Sequence, residues 1–361
     1  MKKILYTIAI CFFLFSCAKQ AGYEIKGSLT GVTKAKISLM RMIDGSFVTV
    51  DSLETADGKF VFKGTVAIPE MYYIKYSDEK SPLKFFIENS PIEVTVDSAK
   101  TTVTGSKSND QWLTFSKQSD EFDARIDAEM KKCKEAKDAG KCCDASSCDS
   151  TCKAIQKEQK AFMMRYVETN KNNAVGAFVA FKPLGWMLSV DELAKIAGSF
   201  NDSIASSIYI TGMKARVEVM KKVAIGQPAP EITMNDTTGK AVLLSSLKGK
   251  VVLIDFWASW CPDCRAEMPN VSSIYNDFHP KGFEIYGVSL DKKKAPWVKY
   301  IAENKLTWTN VSDILGWANA AGKLYAVSSI PHTVLVDKDG KIIANDLFGD
   351  DLRKKVEEVC K

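Results

Sequence analysis

The spacing of apolar residues divides this chain into three stretches. From Tyr23 to about Gly105 the period is short. Lys36-Ile37-Ser38-Leu39-Met40-Arg41 and Lys59-Phe60-Val61-Phe62-Lys63 mix polar and apolar positions, and Ile92-Glu93-Val94-Thr95-Val96-Asp97 alternates cleanly. Successive strand side chains point to opposite faces, so this pattern predicts half-buried β-strands. Asp44-Gly45 and Asp57-Gly58 fall between such runs as hairpin turns. Strands at this spacing predict a small sandwich or open barrel. From about Asn109 to Lys222 the period lengthens. Trp112, Phe115, Phe122, Ile126 and Met130 lie close to one helical face, and Phe162, Tyr166 and Val167 repeat the pattern. Asp191 is positioned to cap a helix through Leu193 and Ile196. An aromatic stripe of this kind is usually core and not a cofactor site. From Ile225 the chain alternates. Gly226-Gln227-Pro228-Ala229-Pro230 is a loop, Thr238-Gly239-Lys240 a turn, and residues 251–257 a nearly continuous apolar run. Such a run is expected of a central parallel strand. A helix follows, then a strand at 283–290 and a helix near 297–304. Strands at 333–337 and 341–344 come next, joined by Asp339-Gly340, and a last helix runs through Leu352 and Val356. Alternating strands and helices predict an α/β domain.

The first residues point to a compartment. Lys2 and Lys3 precede an apolar run at residues 4–15, too short for a comfortable membrane span. Residues 1–16 therefore read as an export signal. Leu14-Phe15-Ser16-Cys17 closes the run and resembles the bacterial lipobox, in which the cysteine is acylated and becomes the mature N-terminus. On that reading Cys17 anchors the protein to a membrane in the cell envelope, facing the periplasm or exterior. The length of 361 residues suits two or three domains. The formal charge of +5 falls to +3 once Lys2 and Lys3 are removed, so charge favours neither nucleic acid nor an acidic partner.

The chemistry centres on Val251-Val252-Leu253-Ile254-Asp255-Phe256-Trp257-Ala258-Ser259-Trp260-Cys261-Pro262-Asp263-Cys264-Arg265. A buried strand runs into a Cys-X-X-Cys that opens a helix. Free N–H groups and the dipole at a helix N-terminus stabilise a negative sulfur. This lowers the Cys261 thiol pKa and makes it the nucleophile. Cys264, one turn deeper, attacks the mixed disulfide and releases the partner. Asp255 is expected to lie beneath the dithiol and to relay a proton to or from Cys264. A zinc site uses the same spacing, but wants a second pair or nearby histidines. Only His279 and His332 exist, and no second Cys-X-X-Cys follows.

The segment resembles thioredoxins, and most closely the membrane-tethered TlpA/ResA type. The likeness rests on Phe256-Trp257-Ala258-Ser259-Trp260-Cys261-Pro262-Asp263-Cys264, the following Arg265-Ala266-Glu267-Met268-Pro269, Lys248-Gly249-Lys250 and Ile330-Pro331. It implies a thioredoxin-like domain over residues 224–361 and a thiol–disulfide oxidoreductase, specifically a protein disulfide reductase. It implies a cis Pro331 that packs on the dithiol and helps hold the substrate backbone, with Trp260, Pro262, Asp263 and Ile330 as further substrate contacts. No cofactor is implied beyond the redox-active pair Cys261 and Cys264. Implied partners are exported protein thiols and disulfides, including apocytochrome cysteines, and an upstream membrane or periplasmic reductant. Residues 17–107 look like the β-rich domain that precedes a thioredoxin-like domain in many bacterial lipoproteins. Asp263 departs from the pattern, where Pro or a small residue is usual; its carboxylate opposes the thiolate, so a reducing poise nearer thioredoxin is expected. His332 stands where Thr is common and is read as a solvent-facing loop residue, with tuning of the dithiol as the other reading.

Residues 108–223 then form a helical region holding a Cys-rich insert at 131–153, with Cys133, Cys142, Cys143, Cys148 and Cys152. In an exported chain these are expected to staple a loop between helices, with one odd thiol that stays free or pairs with Cys360 or with another chain. A copper or zinc site is the alternative, as is exchange with Cys261. Two other functions compete: a peroxiredoxin-type thiol peroxidase, suggested by the lead-in at residues 225–250, and a metal-handling lipoprotein. Peroxiredoxins place a single cysteine after Thr and Pro, unlike Trp260-Cys261-Pro262-Asp263-Cys264.

Overall fold

The computed structural model describes residues 22–32, 34–43, 45–76, 82–97, 100–138 and 145–361, apart from the side chains of 134, 136–138 and 145–149. The expected signal, Cys17, Asp44, Cys142, Cys143 and the Cys148 side chain lie outside these.

The N-terminal part is a β-sandwich. Its strands are β1 (Tyr23–Leu29), β2 (Ala35–Ile43), β3 (Ser46–Thr55), β4 (Lys59–Gly64), β5 (Glu70–Tyr76), β6 (Leu83–Ile87), β7 (Pro91–Val96) and β8 (Thr101–Thr104). They form two four-stranded sheets, ordered β4-β1-β7-β8 and β3-β2-β5-β6. Alternation works as the sequence predicts: Ile92 and Val94 of β7 are buried and their neighbours Glu93 and Thr95 are exposed. Ile25, Phe62, Ile92 and Val94 from one sheet meet Ile37, Leu39, Ile74 and Phe85 from the other. Gly45 and Gly58 take positive φ at the two turns, +78° and +76°, where a Cβ would be strained.

Five helices follow: α1 (Lys107–Asp138), α2 (Ala145–Thr169), α3 (Ala174–Phe181), α4 (Val190–Ala197) and α5 (Ile208–Lys222). They close over the outer face of the β3-β2-β5-β6 sheet. Ile68, Met71 and Phe86 share one core with Trp112, Phe115, Val167, Phe178 and Tyr209. Two expectations are corrected. Met130 is 56% exposed, because α1 projects past this core and is braced there by Arg125–Glu158 and Asp123–Gln159 pairs with α2. The cap of α4 is Ser189, not Asp191. Its side chain accepts from Glu192 N while Glu192 accepts from the Ser189 N–H, a capping box.

The remainder holds β9 (Thr233–Asn235), β10 (Ala241–Leu243), β11 (Val251–Trp257), α6 (Pro262–Phe278), β12 (Phe283–Ser289), α7 (Lys294–Glu303), β13 (Thr309–Val311), α8 (Ala320–Leu324), β14 (His332–Val336), β15 (Ile342–Asn345) and α9 (Gly349–Val359). The main sheet is ordered β13-β12-β11-β14-β15. β11 lies at its centre, parallel to β12 and antiparallel to β14. All seven residues of β11 are buried, which is why its sequence shows no alternation. This is an α/β thioredoxin-like domain. No described helix is long and apolar enough to cross a membrane.

Candidate active site

The site grows from the end of β11. Ala258 is buried, and the chain then turns through Ser259 and Trp260 into α6. Cys261 is the N-cap, with φ −83° and ψ 115°, and its Sγ accepts from the Cys264 N–H at 3.2 Å. Pro262 stands in the first helical turn, where its missing N–H costs nothing. Asp263 shares that turn and faces solvent. Cys261 and Cys264 are joined as a disulfide with their Cα atoms 5.3 Å apart. Reduced, Cys261 would hold its thiolate where the orphan N–H groups of the helix point.

Ile330 and Pro331 approach from the start of β14. Their peptide bond is cis, and the Ile330 carbonyl oxygen lies 3.7 Å from Cys261 Sγ. Trp260 is 51% exposed, with its ring centroid 6.5 Å from that of Trp317. These two rings, with Leu290, Pro296, Lys292 and Lys293, line a cleft of about 410 Å³ beside the dithiol. A second cleft, of about 590 Å³, opens past Pro262 and is lined by Arg265 and Tyr300.

Asp255 lies six residues before Cys261 and is 4% exposed. Its carboxyl is pushed up to about 7, first by burial and then by the neighbouring negative charge of Glu267. Glu267 follows Cys264 by three residues on α6. Its Oε1 accepts from Asn270 Nδ2 at 2.7 Å and from the Gly349 N–H at 2.8 Å.

The chain has known relatives over this region. The AhpC/TSA family matches residues 225–345, and a domain of unknown function, DUF4369, matches residues 23–112. A thiol-disulfide oxidoreductase ResA of Bacillus thuringiensis subsp. konkukian (strain 97-27) is 32% identical over 141 residues, spanning 39% of this chain and 79% of that protein. The chain belongs to the ResA thiol-disulfide oxidoreductase family. The ResA of Bacillus subtilis (strain 168) is also 32% identical, over 34% of this chain and 67% of its own length. Among solved structures, the thioredoxin domain of a thiol-disulfide oxidoreductase from Bacteroides vulgatus is 43% identical, covering 38% of this chain and 99% of that one, with a TM-score of 0.37.

The sequence pattern does not single out two residues of the site in this ResA-family oxidoreductase. Asp291 is 1% exposed. It accepts from the Ser259 N–H at 2.9 Å, from Ser259 Oγ at 2.6 Å and from Ser289 Oγ at 2.7 Å, fixing the turn that leads into Trp260 and Cys261. Glu267 is the other; its spacing of three from Cys264 was the available clue, since such residues share a helix face. His332 corrects an expectation. It opens β14, not a solvent-facing loop, and its Nδ1 lies 2.6 Å from Asp346 with its ring 5.7 Å from Phe256. The strand's pairing with β11 draws it inward. Of the insert, Cys133 is disulfide-bonded and Cys152 is free. Among the described residues no group of three or more His, Cys, Asp or Glu side chains is arranged to hold a metal.

Proposed function

We propose that this chain is an exported, lipid-anchored protein disulfide reductase working through Cys261 and Cys264. The observation that carries this reading is the Cys261 sulfur at the first turn of α6, accepting from Cys264 N–H and facing the Ile330 carbonyl. In the reduced enzyme the Cys261 thiolate attacks one sulfur of a substrate disulfide. An S–S bond forms to Cys261, and the other substrate sulfur leaves as a thiolate and takes a proton. Asp255, ionised, accepts the Cys264 proton, and the Cys264 thiolate attacks Cys261. The second substrate thiol departs, the Cys261–Cys264 disulfide forms, and two electrons have moved to the substrate. An envelope reductant then returns the pair to dithiol. Ile330, Pro331, Trp260, Pro262 and Asp263 surround the attacked sulfur as substrate contacts, and Asp263, by opposing the thiolate, makes the pair a stronger reductant.

Insulin-disulfide reduction by the chain from Ala18 onward tests this. Cys261→Ser is expected to lower the rate at least about 1,000-fold, as for any lost nucleophile. Cys264→Ser is expected to accumulate a mixed disulfide with substrate, visible by mass spectrometry. Full activity in Cys261→Ser would refute the mechanism. For the anchor, Cys17→Ser is expected to move the protein from the membrane to the soluble fraction of the producing cell; retention in the membrane would exclude acylation at Cys17. The AhpC/TSA match supports thiol peroxidase as a second reading. Hydrogen peroxide turnover by purified protein, faster than insulin reduction, would favour it.

A further inference from the structure

The Trp260–Trp317 ledge does not end within the thioredoxin-like domain. Trp317 sits in a loop held by Asp313, which accepts from the Leu315 N–H, Asn319 Nδ2 and the Ala320 N–H. Gly316 in that loop has φ +60°, and a Cβ there would run into the Lys292 side chain. The opposite side of Trp317 meets the sandwich. A Cβ on Gly45, at the tip of the β2–β3 hairpin, would lie 3.4 Å from the Trp317 carbonyl oxygen. The hairpin tip is therefore in van der Waals reach of the loop that carries the ledge.

The hairpin that touches down there is unusual. β3 is the edge of its sheet, paired to β2 alone. Its ten residues, Ser46–Thr55, contain no Lys and no Pro, and its two charges, Asp51 and Glu54, fall in the half away from the hairpin tip, so residues 46–50 carry none of the residues that commonly protect a free edge. Its one irregularity falls at Val50, opposite Leu39 and Met40. Phe47, Val48 and Val50 are all more than 40% exposed, as is Ile43 at the end of β2. Together with Trp260, Leu315 and Trp317 they make seven of the fifteen exposed large apolar side chains among the described residues. Nearly half of the exposed large apolar side chains among the described residues thus belong to the β2–β3 hairpin and to the loops beside the dithiol that its tip approaches, a concentration that marks interaction surfaces.

We propose that β3 and the Trp260–Trp317 ledge form one binding surface for an extended, apolar, cysteine-bearing segment of an unfolded polypeptide. This rests on the disulfide-reductase reading, which names a polypeptide disulfide as the thing brought to Cys261. Strand addition to a free edge takes affinity from main-chain hydrogen bonds, so it tolerates many sequences, while apolar side chains on the segment meet those of the edge. A ten-residue edge spans roughly 33 Å, long enough to hold a segment whose cysteine lies at the ledge. A folded domain, whose strands are already paired except at its own sheet edges, has far less free backbone to offer the edge. The sandwich therefore acts as a selector of unfolded substrates.

The test uses the chain from Ala18 onward and a Val48→Lys/Val50→Lys variant, with circular dichroism as the check of folding. The probe is an apolar ten-residue peptide with one cysteine, in two forms: a fluorescein conjugate with Ser in place of Cys, for anisotropy, and a mixed disulfide, for turnover. The variant is expected to weaken binding of the Ser peptide about tenfold. The ratio of kcat/KM for the peptide disulfide to that for a small aromatic disulfide is expected to fall by a similar factor. Trp317→Ser, at the far end of the surface, is expected to shift both readouts the same way. Unchanged binding and an unchanged ratio in both variants would overturn the proposal, as would failure of the unmodified chain to bind the peptide. Peptide binding that depends on Val48 and Val50, in a chain that reduces neither disulfide, would keep the surface and refute the reductase reading.

Discussion

Burial of the Asp255 carboxyl makes its proton part of the stability of the fold. Its equilibrium moves from 3.8 in an unfolded chain to about 7 in the folded one. Between those values the folded state holds a proton that the unfolded state has lost. Stability is therefore whole below about 4 and falls as pH rises to about 7, by on the order of 4 kcal/mol. Asp255→Asn removes the titration. The variant is expected to gain thermal stability over the parent at pH 8 and to gain much less at pH 5, measured as Tm on the oxidised protein. A gain independent of pH would refute the assignment. The same substitution is expected to slow insulin reduction by about 100-fold, the usual weight of a general base. Burial of this residue was legible, since it falls inside an apolar run that leaves no solvent-facing side. The contribution of Glu267 was not, because it depends on how α6 packs back across the strand. The misreading of His332 has a similar origin: its neighbours in the chain suggest a loop, and its pairing with β11 is non-local.

At the level of elements, the dithiol depends on a turn of four residues between β11 and α6. Asp291 clamps it from the end of β12 through Ser259 and Ser289. Asp291→Ala leaves buried donors without an acceptor, each costing about 1–3 kcal/mol. The variant is expected to lose about 3 kcal/mol of stability by urea denaturation and to reduce insulin more slowly. A loss below about 0.5 kcal/mol would mean that the clamp is redundant. Element types were legible where the period was long and the turn chemistry explicit, as in β2, β4, β7 and α6. Caps and ends were less so. Ser189 and Glu192 carry the Ser-X-X-Glu signature of a capping box, a stronger signal than Asp191 alone. The apolar stripe of α1 reads as continuous to Met130, but burial of its far end requires a partner that only the tertiary arrangement decides.

At the level of the molecule, the three cores divide unequally. One lies within the sandwich, one mixes sandwich and helices, and one is confined to residues from Val223 to Cys360. Tyr209 ties α5 to β5 within the mixed core, its hydroxyl accepting from the buried Met71 N–H at 2.7 Å. The third is joined to the others by contacts such as Arg216 to Ser328 at 2.6 Å. Calorimetry is expected to resolve two transitions, with sandwich and helices melting together. Tyr209→Phe strands the Met71 N–H and is expected to lower only that transition, by about 1–3 kcal/mol. One transition that shifts as a whole would mean a single cooperative unit. The approach of Gly45 to Trp317 was invisible in the sequence, since residues 272 positions apart share no local pattern. The parallel pairing of β1 with β7 sets a timetable for a chain that emerges N-terminus first. The opening strand is central to its sheet, yet one neighbour arrives nearly seventy residues later. A nascent chain must keep Ile25 and Leu29 unpartnered on that side until Ile92 and Val96 appear. During that interval the first segment is the one a chaperone has most reason to hold.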